Sequence, residues 1–279
     1  MILQDVAVAF QRRALSFEIF PTERPDHARE LVLERGGTFD AVVVAGGDGT
    51  VHEALQGLDL DRHRLGVIPL GTGNDFAWMN GWPADLATCV DRIAGGGERR
   101  LDIGTWKGTT SGGPREARFH NSIGLGFEAL VNRESARIKG RWGALTYVFA
   151  VLRSLPRYRS FQVESTWDGG GYSGPTTLLD VCIGKRVGGC FLLAPGADAA
   201  DGRLDLVVAD GRGLPRALML LPRLFHGTHV TSLSVRQHRV TAVRMTFPEG
   251  CPMYVDGEFV DEAVRELEVQ IVAGRLRTF

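Results

Sequence analysis

The feature that most constrains this chain is a glycine-rich loop at residues 45–55, AGGDGTVHEAL, which directly follows the apolar run of residues 39–44. A short β-branched run that breaks into glycines and continues with helix-compatible residues predicts a strand, a tight turn and the start of a helix. Gly46, Gly47 and Gly49 carry no Cβ and can adopt positive φ. The backbone amides of such a turn can therefore close around an anion, such as phosphate, at the N-terminal end of the helix.

Asp48 lies in the middle of this turn, where its carboxylate would repel a bare phosphate. A Mg²⁺ ion placed between the carboxylate and the phosphate oxygens removes that repulsion. The turn thus predicts a nucleoside triphosphate with its metal. Taken alone, a glycine-rich turn is equally often a purely structural connection between a strand and a helix.

A second loop of the same kind, PLGTGNDFA at residues 69–77, follows a second short strand predicted at residues 65–68. Loops at the carboxyl ends of neighbouring parallel strands face one crevice, so we expect both loops to line one nucleotide site. Asn74 and Asp75 fit equally well as residues that shape the turn and cap the helix. The predicted nucleotide contacts are Gly46, Gly47, Asp48, Gly49, Thr50, Gly71, Thr72, Gly73, Asn74 and Asp75.

Composition places the chain among soluble globular proteins with one large or two medium domains, since 44% of its 279 residues are hydrophobic and 23% are charged. A net charge of −1 provides no general attraction to nucleic acid or to anionic membranes. The four cysteines lack CxxC spacing and indicate reduced thiols, and no apolar run approaches the ~18 residues of a membrane span. We expect a cytoplasmic protein that at most contacts the inner membrane face peripherally.

Hydrophobic spacing predicts helices at residues 2–13, 22–34 and 85–93 and a strand at residues 16–20. Three glycines at residues 95–97 mark the expected end of an α/β nucleotide-binding domain, residues 1–98. Residues 99–279 alternate in short runs separated by turns, which predicts a β-sandwich domain whose last residues can return to the first. The active site is expected between the two domains. The short runs that support the sandwich are residues 101–106, 117–123 and 178–183.

Four motifs together resemble the diacylglycerol kinase catalytic-domain family, which includes bacterial lipid kinases and sphingosine kinases. They are, in order, GGDGTVHEAL, PLGTGNDFA, LLAPGADAADGRLDL and VDGE. GGDGT alone is shared with NAD kinases and resembles a phosphofructokinase loop, whereas its pairing with PxGTxND is specific. The resemblance implies a phosphofructokinase-like α/β domain, a β-sandwich domain, and use of ATP and Mg²⁺.

The resemblance also assigns roles to single residues. Thr22, in TERPDHA, would contact the nucleotide, although a capping turn explains that segment equally well. The general base would lie in the DGE motif, with Glu258 favoured and Asp256 the competitor, and Asp48 would complete the catalytic set. Mg²⁺ would be held first by Asp201, then by Asp198 and the backbone of Arg203. Without the resemblance, DGE is a common hairpin turn and the acidic segment a solvated turn.

Relatives in this family begin with a further strand and an NPxSG-like phosphate turn, and no such residues precede Met1 in this sequence. The resemblance therefore implies an α/β domain that lacks its first strand. It also leaves open a nucleotide- or lipid-binding protein without catalytic activity.

Two basic stretches, residues 133–159 and 214–230, interleave arginines with aromatic and aliphatic residues. They fit amphipathic helices at a lipid interface, or core-packed helices with a solvated basic face. The leading hypothesis is an ATP-dependent kinase that phosphorylates the hydroxyl of a diacylglycerol-like or other long-chain lipid at the membrane surface. The alternatives are a soluble NAD-kinase-like enzyme and the non-catalytic binding protein.

Overall fold

The computed structural model describes residues 2–137, 144–211 and 213–279. The chain forms two compact units. The first consists of Met1–Leu101 together with Gly274–Phe279, and the second consists of Asp102–Ala273.

The first unit is an α/β unit in which β1 and β2 run parallel, from the pair Ala41 and Arg64 to the pair Gly46 and Pro69. The end of β11 adds a further parallel pairing to β2, at Arg277 and Arg64. Because β1 and β2 end side by side, the loops that follow them begin at adjacent positions. The elements are α1 Ile2–Arg12, α2 His27–Arg35, β1 Ala41–Gly46, α3 Asp48–Gly57, β2 Arg64–Pro69, α4 Asp75–Met79 and α5 Leu86–Ala94.

The three predicted helices of this unit are confirmed. The second begins later than predicted, at His27, because it follows Pro25 and Asp26, whose φ of 62° is left-handed rather than helical. The predicted strand at residues 16–20 is wrong, since these residues carry no strand pairing. Instead, the ring of Phe17 packs against Phe10, with centroids 5.3 Å apart, and Phe20 packs against Phe39 at 6.3 Å.

The second unit is dominated by antiparallel strands, as predicted. Ladders join β10, β5, β7, β8 and β9 in that order, while β6 pairs with β10 and β7. In addition, β11 pairs with β10, and β4 with β3. The strands are β3 Arg99–Thr110, β4 Gly113–Phe119, β5 Ser122–Gly126, β6 Phe161–Trp167, β7 Gly170–Cys182, β8 Leu204–Asp210, β9 Val235–Val240, β10 Ala242–Val255 and β11 Glu258–Thr278.

The strands of the second unit enclose one large apolar core that includes Trp106, Phe119, Leu125 and Met253. Inward residues alternate with outward ones along β6, whose burial alternates from Phe161 to Trp167. The apolar run predicted at residues 117–123 is divided in the structure, because β4 ends at Phe119 and β5 begins at Ser122.

The two basic stretches contain the helices α6 Phe127–Arg137, α7 Ala144–Ser154 and α8 Leu214–Leu224. Phe127 and Val131 of α6 form a small core cluster with Ala150 and Val151 of α7. Lys139, Arg141 and Trp142 of the first basic stretch lie outside the described residues. Within the described ranges, no helix is both long and apolar enough to cross a membrane. All four cysteines are free thiols, and Cys89, Cys182 and Cys251 are buried.

Candidate active site

The two glycine-rich loops meet through Gly47 and Gly71. A Cβ at Gly71 would lie 2.5 Å from Gly47 Cα, and a Cβ at Gly47 would lie 3.1 Å from Gly71 Cα. Gly47 has a φ of −101°, so this position needs glycine for the close approach and not for a left-handed conformation. The Leu70 N–H donates to the Gly46 carbonyl at 2.9 Å. The prediction that the two loops lie side by side is therefore confirmed.

Asp48 and Asn74 hold the second loop in shape. Asp48 Oδ1 accepts the Phe76 N–H at 3.0 Å, which ties the first loop to the start of α4. Asn74 Oδ1 accepts the Gly71 N–H at 2.9 Å, and its Nδ2 donates to the Gly71 carbonyl at 2.8 Å. Asn74 also carries the left-handed backbone of this loop, with φ 50° and ψ 42°, a conformation that asparagine tolerates better than most residues. The structural role that the sequence left open for Asn74 is thus observed.

The surface left for a phosphate consists of exposed and half-buried backbone at the two loops. Gly71 and Thr72 are exposed, and residues 46–50 are half-buried. A Cβ at Gly46 would lie 2.9 Å from Thr50 Oγ1, so glycine leaves space for that hydroxyl. The helix α3 begins at Asp48, which brings its free N–H groups to the first loop. These donors suit the phosphates of a nucleotide.

A metal ion accompanying those phosphates could use the carboxylate of Asp48, whereas Asp75, at the start of α4, is buried. Asp48 uses Oδ1 for the Phe76 N–H and is half-buried. A single carboxylate oxygen together with phosphate oxygens is a donor set that suits Mg²⁺. Among the residues that the structure describes, there is no cluster of three or more His, Cys, Asp or Glu side chains at metal-binding distance.

The segment of Thr22 is fixed by contacts of its neighbours. Glu53 Oε2 accepts the Ala28 N–H at 3.1 Å, and the Glu23 N–H donates to His27 Nδ1 at 3.0 Å. Thr22 itself is exposed. Its contact with the nucleotide stays a prediction.

The DGE motif forms a hairpin turn whose two carboxylates lie in different environments. Val255 pairs with Glu258, and the two turn residues both have positive φ, 49° at Asp256 and 91° at Gly257, the combination of a type I′ turn. Asp256 is buried and its carboxylate accepts three backbone N–H groups, whereas Glu258 is exposed. The donors are His120 at 3.0 Å, Asn121 at 2.8 Å and Ser122 at 3.1 Å.

These contacts distinguish Asp256 from Glu258, the two residues that the sequence left as candidates for the general base. A buried carboxylate with three backbone donors is engaged in holding the chain at residues 120–122. The Nε2 of His120 also lies 3.6 Å from Asp256 Oδ2. An exposed carboxylate at the end of the turn remains accessible to a substrate, so Glu258 is the better candidate for a general base.

The turn predicted to bind Mg²⁺ satisfies its own carboxylates. Asp201 Oδ1 accepts the Arg203 N–H at 2.9 Å, and Oδ2 forms an ion pair with Arg239. Asp198 Oδ1 accepts the Ala200 N–H at 3.1 Å. Both oxygens of Asp201 and one oxygen of Asp198 thus already have partners within the protein. The assignment of Mg²⁺ to Asp201, Asp198 and the backbone of Arg203 stays a prediction.

A residue that the sequence analysis missed supports the same turn. The buried Asp102, in β3, accepts the Gly202 N–H on Oδ2 at 2.7 Å, and its own N–H donates to the Ala199 carbonyl at 2.7 Å. Next to the turn, burial raises the pKa of the Asp205 carboxyl, and the charge of Arg239 opposes that rise. A lone carboxylate inside the apolar run LDIG was the only available signal for Asp102.

The second missed group consists of the buried Asp180 and the half-buried Glu128 in the second unit. The Tyr254 hydroxyl donates to Glu128 Oε1 at 2.7 Å, and Asp180 is fully buried. Burial raises the pKa of Asp180 well above its ordinary value, and the nearby charge of Glu128 raises it further. Burial also raises the pKa of Glu128. An aspartate inside the apolar strand LLDVC was the signal in the sequence.

Comparison with known proteins decides the family. Residues 1–106 match the sequence model of the diacylglycerol kinase catalytic domain. Residues 121–278 match that of the YegS C-terminal NAD kinase beta sandwich-like domain. The diacylglycerol kinase of Mycobacterium tuberculosis (strain ATCC 25618 / H37Rv) is 34% identical over 222 residues, 79% of this chain and 71% of that protein. The chain belongs to the diacylglycerol kinase family. It is therefore a kinase, and the predicted enzyme class is confirmed.

Solved structures confirm the fold class. The crystal structure of a protein from Bacillus anthracis str. Sterne has a TM-score of 0.79 at 23% identity and covers 99% of this chain and 90% of its own. Yeast NADH kinase is more distant, with a TM-score of 0.50 at 13% identity over 86% of this chain and 60% of its own. Both likenesses concern the fold alone. The kinase thus combines an α/β unit with a strand-rich unit of the YegS C-terminal type.

Proposed function

We propose that this kinase transfers the γ-phosphate of ATP to the hydroxyl of a diacylglycerol-like lipid at a membrane surface. The contact between Gly47 and Gly71 carries the proposal, because it joins two phosphate-binding motifs into one site. The printed name of the Mycobacterium tuberculosis relative, a diacylglycerol kinase, supports the class of acceptor.

The first unit would bind the nucleotide. Backbone N–H groups of residues 46–50 and 71–73 would hold the phosphates, with the hydroxyls of Thr50 and Thr72 as further donors. When bound with the nucleotide, Mg²⁺ neutralises charge on the phosphates, and Asp48 Oδ2 is the protein oxygen that would hold it. Asp48 Oδ1 would keep the second loop in place through the Phe76 N–H.

The second unit would supply the general base. The Glu258 carboxylate would accept the proton of the lipid hydroxyl while the new bond from oxygen to phosphorus forms and the bond to ADP breaks. Asp256 would not act on the substrate. Its three bonds to backbone N–H groups fix the hairpin turn from which Glu258 projects.

A cationic surface on α6, α7 and the turn after α7 supports action at a membrane. The buried Glu134 lies within 2.9 Å of Arg137, 3.4 Å of Arg153 and 3.1 Å of Arg157. One carboxylate faces three guanidinium groups whose side chains are 61%, 70% and 56% exposed, so the cluster is positively charged at the surface. Such a cluster attracts anionic lipid headgroups.

Exposed apolar side chains lie on the same helix as one of these arginines. Phe149 and Leu152 of α7 are 47% and 55% exposed. Phe149, Leu152 and Arg153 are spaced i, i+3 and i+4 and therefore share one face of α7. An arginine next to exposed aromatic and aliphatic side chains is the pattern of a helix that rests on an anionic interface.

A transfer assay tests the proposal. The protein is incubated with radiolabelled ATP and vesicles that contain diacylglycerol, and label in the lipid fraction is measured. We expect label in the lipid with the wild-type protein and none with Asp48→Ala. Preference for a water-soluble acceptor would contradict the proposal and favour an NAD-kinase-like activity. Nucleotide binding without transfer to any acceptor would favour a non-catalytic protein.

A further inference from the structure

The ring of Tyr254, on β10, lies across the neighbouring strand β5. Gly124 of β5 pairs on one side with Tyr254 of β10 and on the other with Asp180 of β7. A Cβ at Gly124 would lie 1.9 Å from Tyr254 Cε1 and 2.8 Å from Asp180 Oδ1. The missing side chain of Gly124 thus lets the tyrosine ring lie across β5.

The hydroxyl of Tyr254 is hydrogen-bonded to the half-buried Glu128. It donates to Glu128 Oε1 at 2.7 Å, from the first turn of α6. The fully buried Asp180 lies on the other side of Gly124, and neither of its carboxyl oxygens has a hydrogen-bond partner among the described residues. Burial and the nearby charge of Glu128 both raise the pKa of Asp180, so its neutral form is favoured. The anchor of the tyrosine hydroxyl is therefore the Glu128 carboxyl group.

The other side of Tyr254 leads to the hairpin turn of the DGE motif. The Tyr254 hydroxyl lies 3.4 Å from Ser122 Oγ. Ser122 is joined to Asp256 twice, because its N–H donates to Asp256 Oδ1 at 3.1 Å and its carbonyl accepts the Asp256 N–H at 2.9 Å. A row of polar contacts therefore runs from Glu128 through Tyr254 and Ser122 to Asp256, which lies two residues before Glu258.

We propose that Tyr254, anchored by Glu128, is a positioning residue that fixes the hairpin turn and thereby aims the Glu258 carboxylate at the substrate hydroxyl. This inference rests on the proposed function in one respect, the role of Glu258 as the base. An exposed carboxylate that directly follows a two-residue turn needs such support. Proton transfer demands a fixed geometry, and a shift of about 1 Å can lower a rate roughly 100-fold.

The test uses a pair of matched variants. Tyr254→Phe keeps the ring across Gly124 and removes only the hydroxyl. Tyr158→Phe is the control, because the Tyr158 hydroxyl also makes a partly buried bond in the same unit, to Thr177 Oγ1 at 3.0 Å. A second pair of variants changes the acceptor of this hydrogen bond. Glu128→Gln keeps a side-chain oxygen that can accept the Tyr254 hydroxyl, whereas Glu128→Ala removes it.

Two quantities are measured: amide hydrogen exchange of residues 253–258, and kcat with KM for ATP in the lipid transfer assay. In Tyr254→Phe and in Glu128→Ala we expect exchange of the turn to accelerate and kcat to fall by about 10-fold, with KM for ATP within about twofold of wild type. Tyr158→Phe and Glu128→Gln should match wild type in both quantities.

Equal exchange and equal kcat in Tyr254→Phe and Tyr158→Phe would overturn the inference. The exchange measurement needs no activity, so it decides the positioning role on its own. If Tyr254→Phe does not fold, Glu128→Ala against Glu128→Gln gives the decision. Wild-type kcat in Glu258→Gln would instead refute the base assigned in the proposed function, whatever the exchange rates show.

Discussion

Gly47 and Gly71 approach so closely that a Cβ on Gly71 would lie 2.5 Å from the Cα of Gly47. Two loops that follow different strands are thereby joined at their backbones. The absence of side chains at these two positions is what lets the motifs GGDGT and PLGTGND lie against each other. Several expectations depend directly on this contact and on the residues around it.

Replacing Gly71 should damage the nucleotide site without unfolding the protein. In Gly71→Ala the new methyl group must displace the backbone of Gly47, and we expect affinity for MgATP to fall by about 10-fold or more. Gly97→Ala is the matched control, because a Cβ at Gly97 would meet no atom within 4 Å. Calorimetric titration gives the affinities, and equal values for the two variants would show that the loop contact is irrelevant to nucleotide binding.

Asp48 provides both a hydrogen-bond acceptor for the Phe76 N–H and a negative charge. Asp48→Asn keeps the acceptor and removes the charge. The amide oxygen of asparagine can still accept the Phe76 N–H, so the melting temperature should stay within about 3 °C of wild type. Loss of the charge should reduce phosphoryl transfer by about 100-fold or more, because a neutral amide is a poor ligand for Mg²⁺. A variant with near wild-type turnover would mean that Asp48 acts only through its hydrogen bond.

The buried Asp180 should make the stability of the protein depend on pH in a defined direction. The pKa of Asp180 is raised in the folded protein above the value of 3.8 in the unfolded chain, chiefly by burial and then by the charge of Glu128. The neutral acid is thus favoured by folding. The stabilisation of the folded state by neutral Asp180 is fully present below the pKa of the unfolded chain. It is lost as pH rises towards the pKa of the folded protein.

Asp180→Asn should therefore be more stable than wild type at neutral pH, and the gain should shrink towards pH 4. Urea unfolding between pH 4 and pH 8 measures the difference. Tyr254 and Cys182 face Asp180 and Glu128 and stay neutral over this range, because burial raises the pKa of each well above its ordinary value. A gain that grows as pH falls would contradict the assignment.

The surface of α7 should contribute to membrane binding. We expect Arg153→Gln to weaken binding to vesicles that contain phosphatidylglycerol by roughly 5-fold, and Phe149→Ser to weaken it as well. Binding to neutral phosphatidylcholine vesicles should be weaker from the outset. Arg244→Gln is the matched loss of charge, since the Arg244 side chain is 72% exposed and belongs to β10 rather than to α7. Co-sedimentation measures the binding, and equal losses for Arg153→Gln and Arg244→Gln would rule out a specific α7 surface.

The sequence predicted the two glycine-rich loops and the helices that follow them because their signals are local. Residues 45–50 and 69–75 each combine a preceding apolar run, glycines and a helix start within a few residues. What these signals could not specify was the reason for each glycine. Gly47 is needed for contact with a residue from the other loop, and the left-handed position belongs to Asn74.

Roles that depend on distant residues could not be predicted. Asp256 receives its backbone donors from residues 120–122, and Asp201 is paired with Arg239, so nothing near either aspartate in the sequence distinguishes it from a free carboxylate. For the same reason the pairing of Asp180 with Glu128 was missed. The wrong strand at residues 16–20 has a similar cause, because Phe17 and Phe20 pack on rings outside the segment and not on a neighbouring strand.

The most direct test of the whole account compares two neighbouring carboxylates in the transfer of radiolabelled phosphate to diacylglycerol in vesicles. Glu258→Gln should keep the melting temperature and the affinity for MgATP of wild type and lower kcat by roughly 100- to 10,000-fold. Asp256→Asn should lower the melting temperature, because it weakens three bonds to buried backbone N–H groups. No labelled lipid from the wild-type protein, or a wild-type rate in Glu258→Gln, would contradict the account.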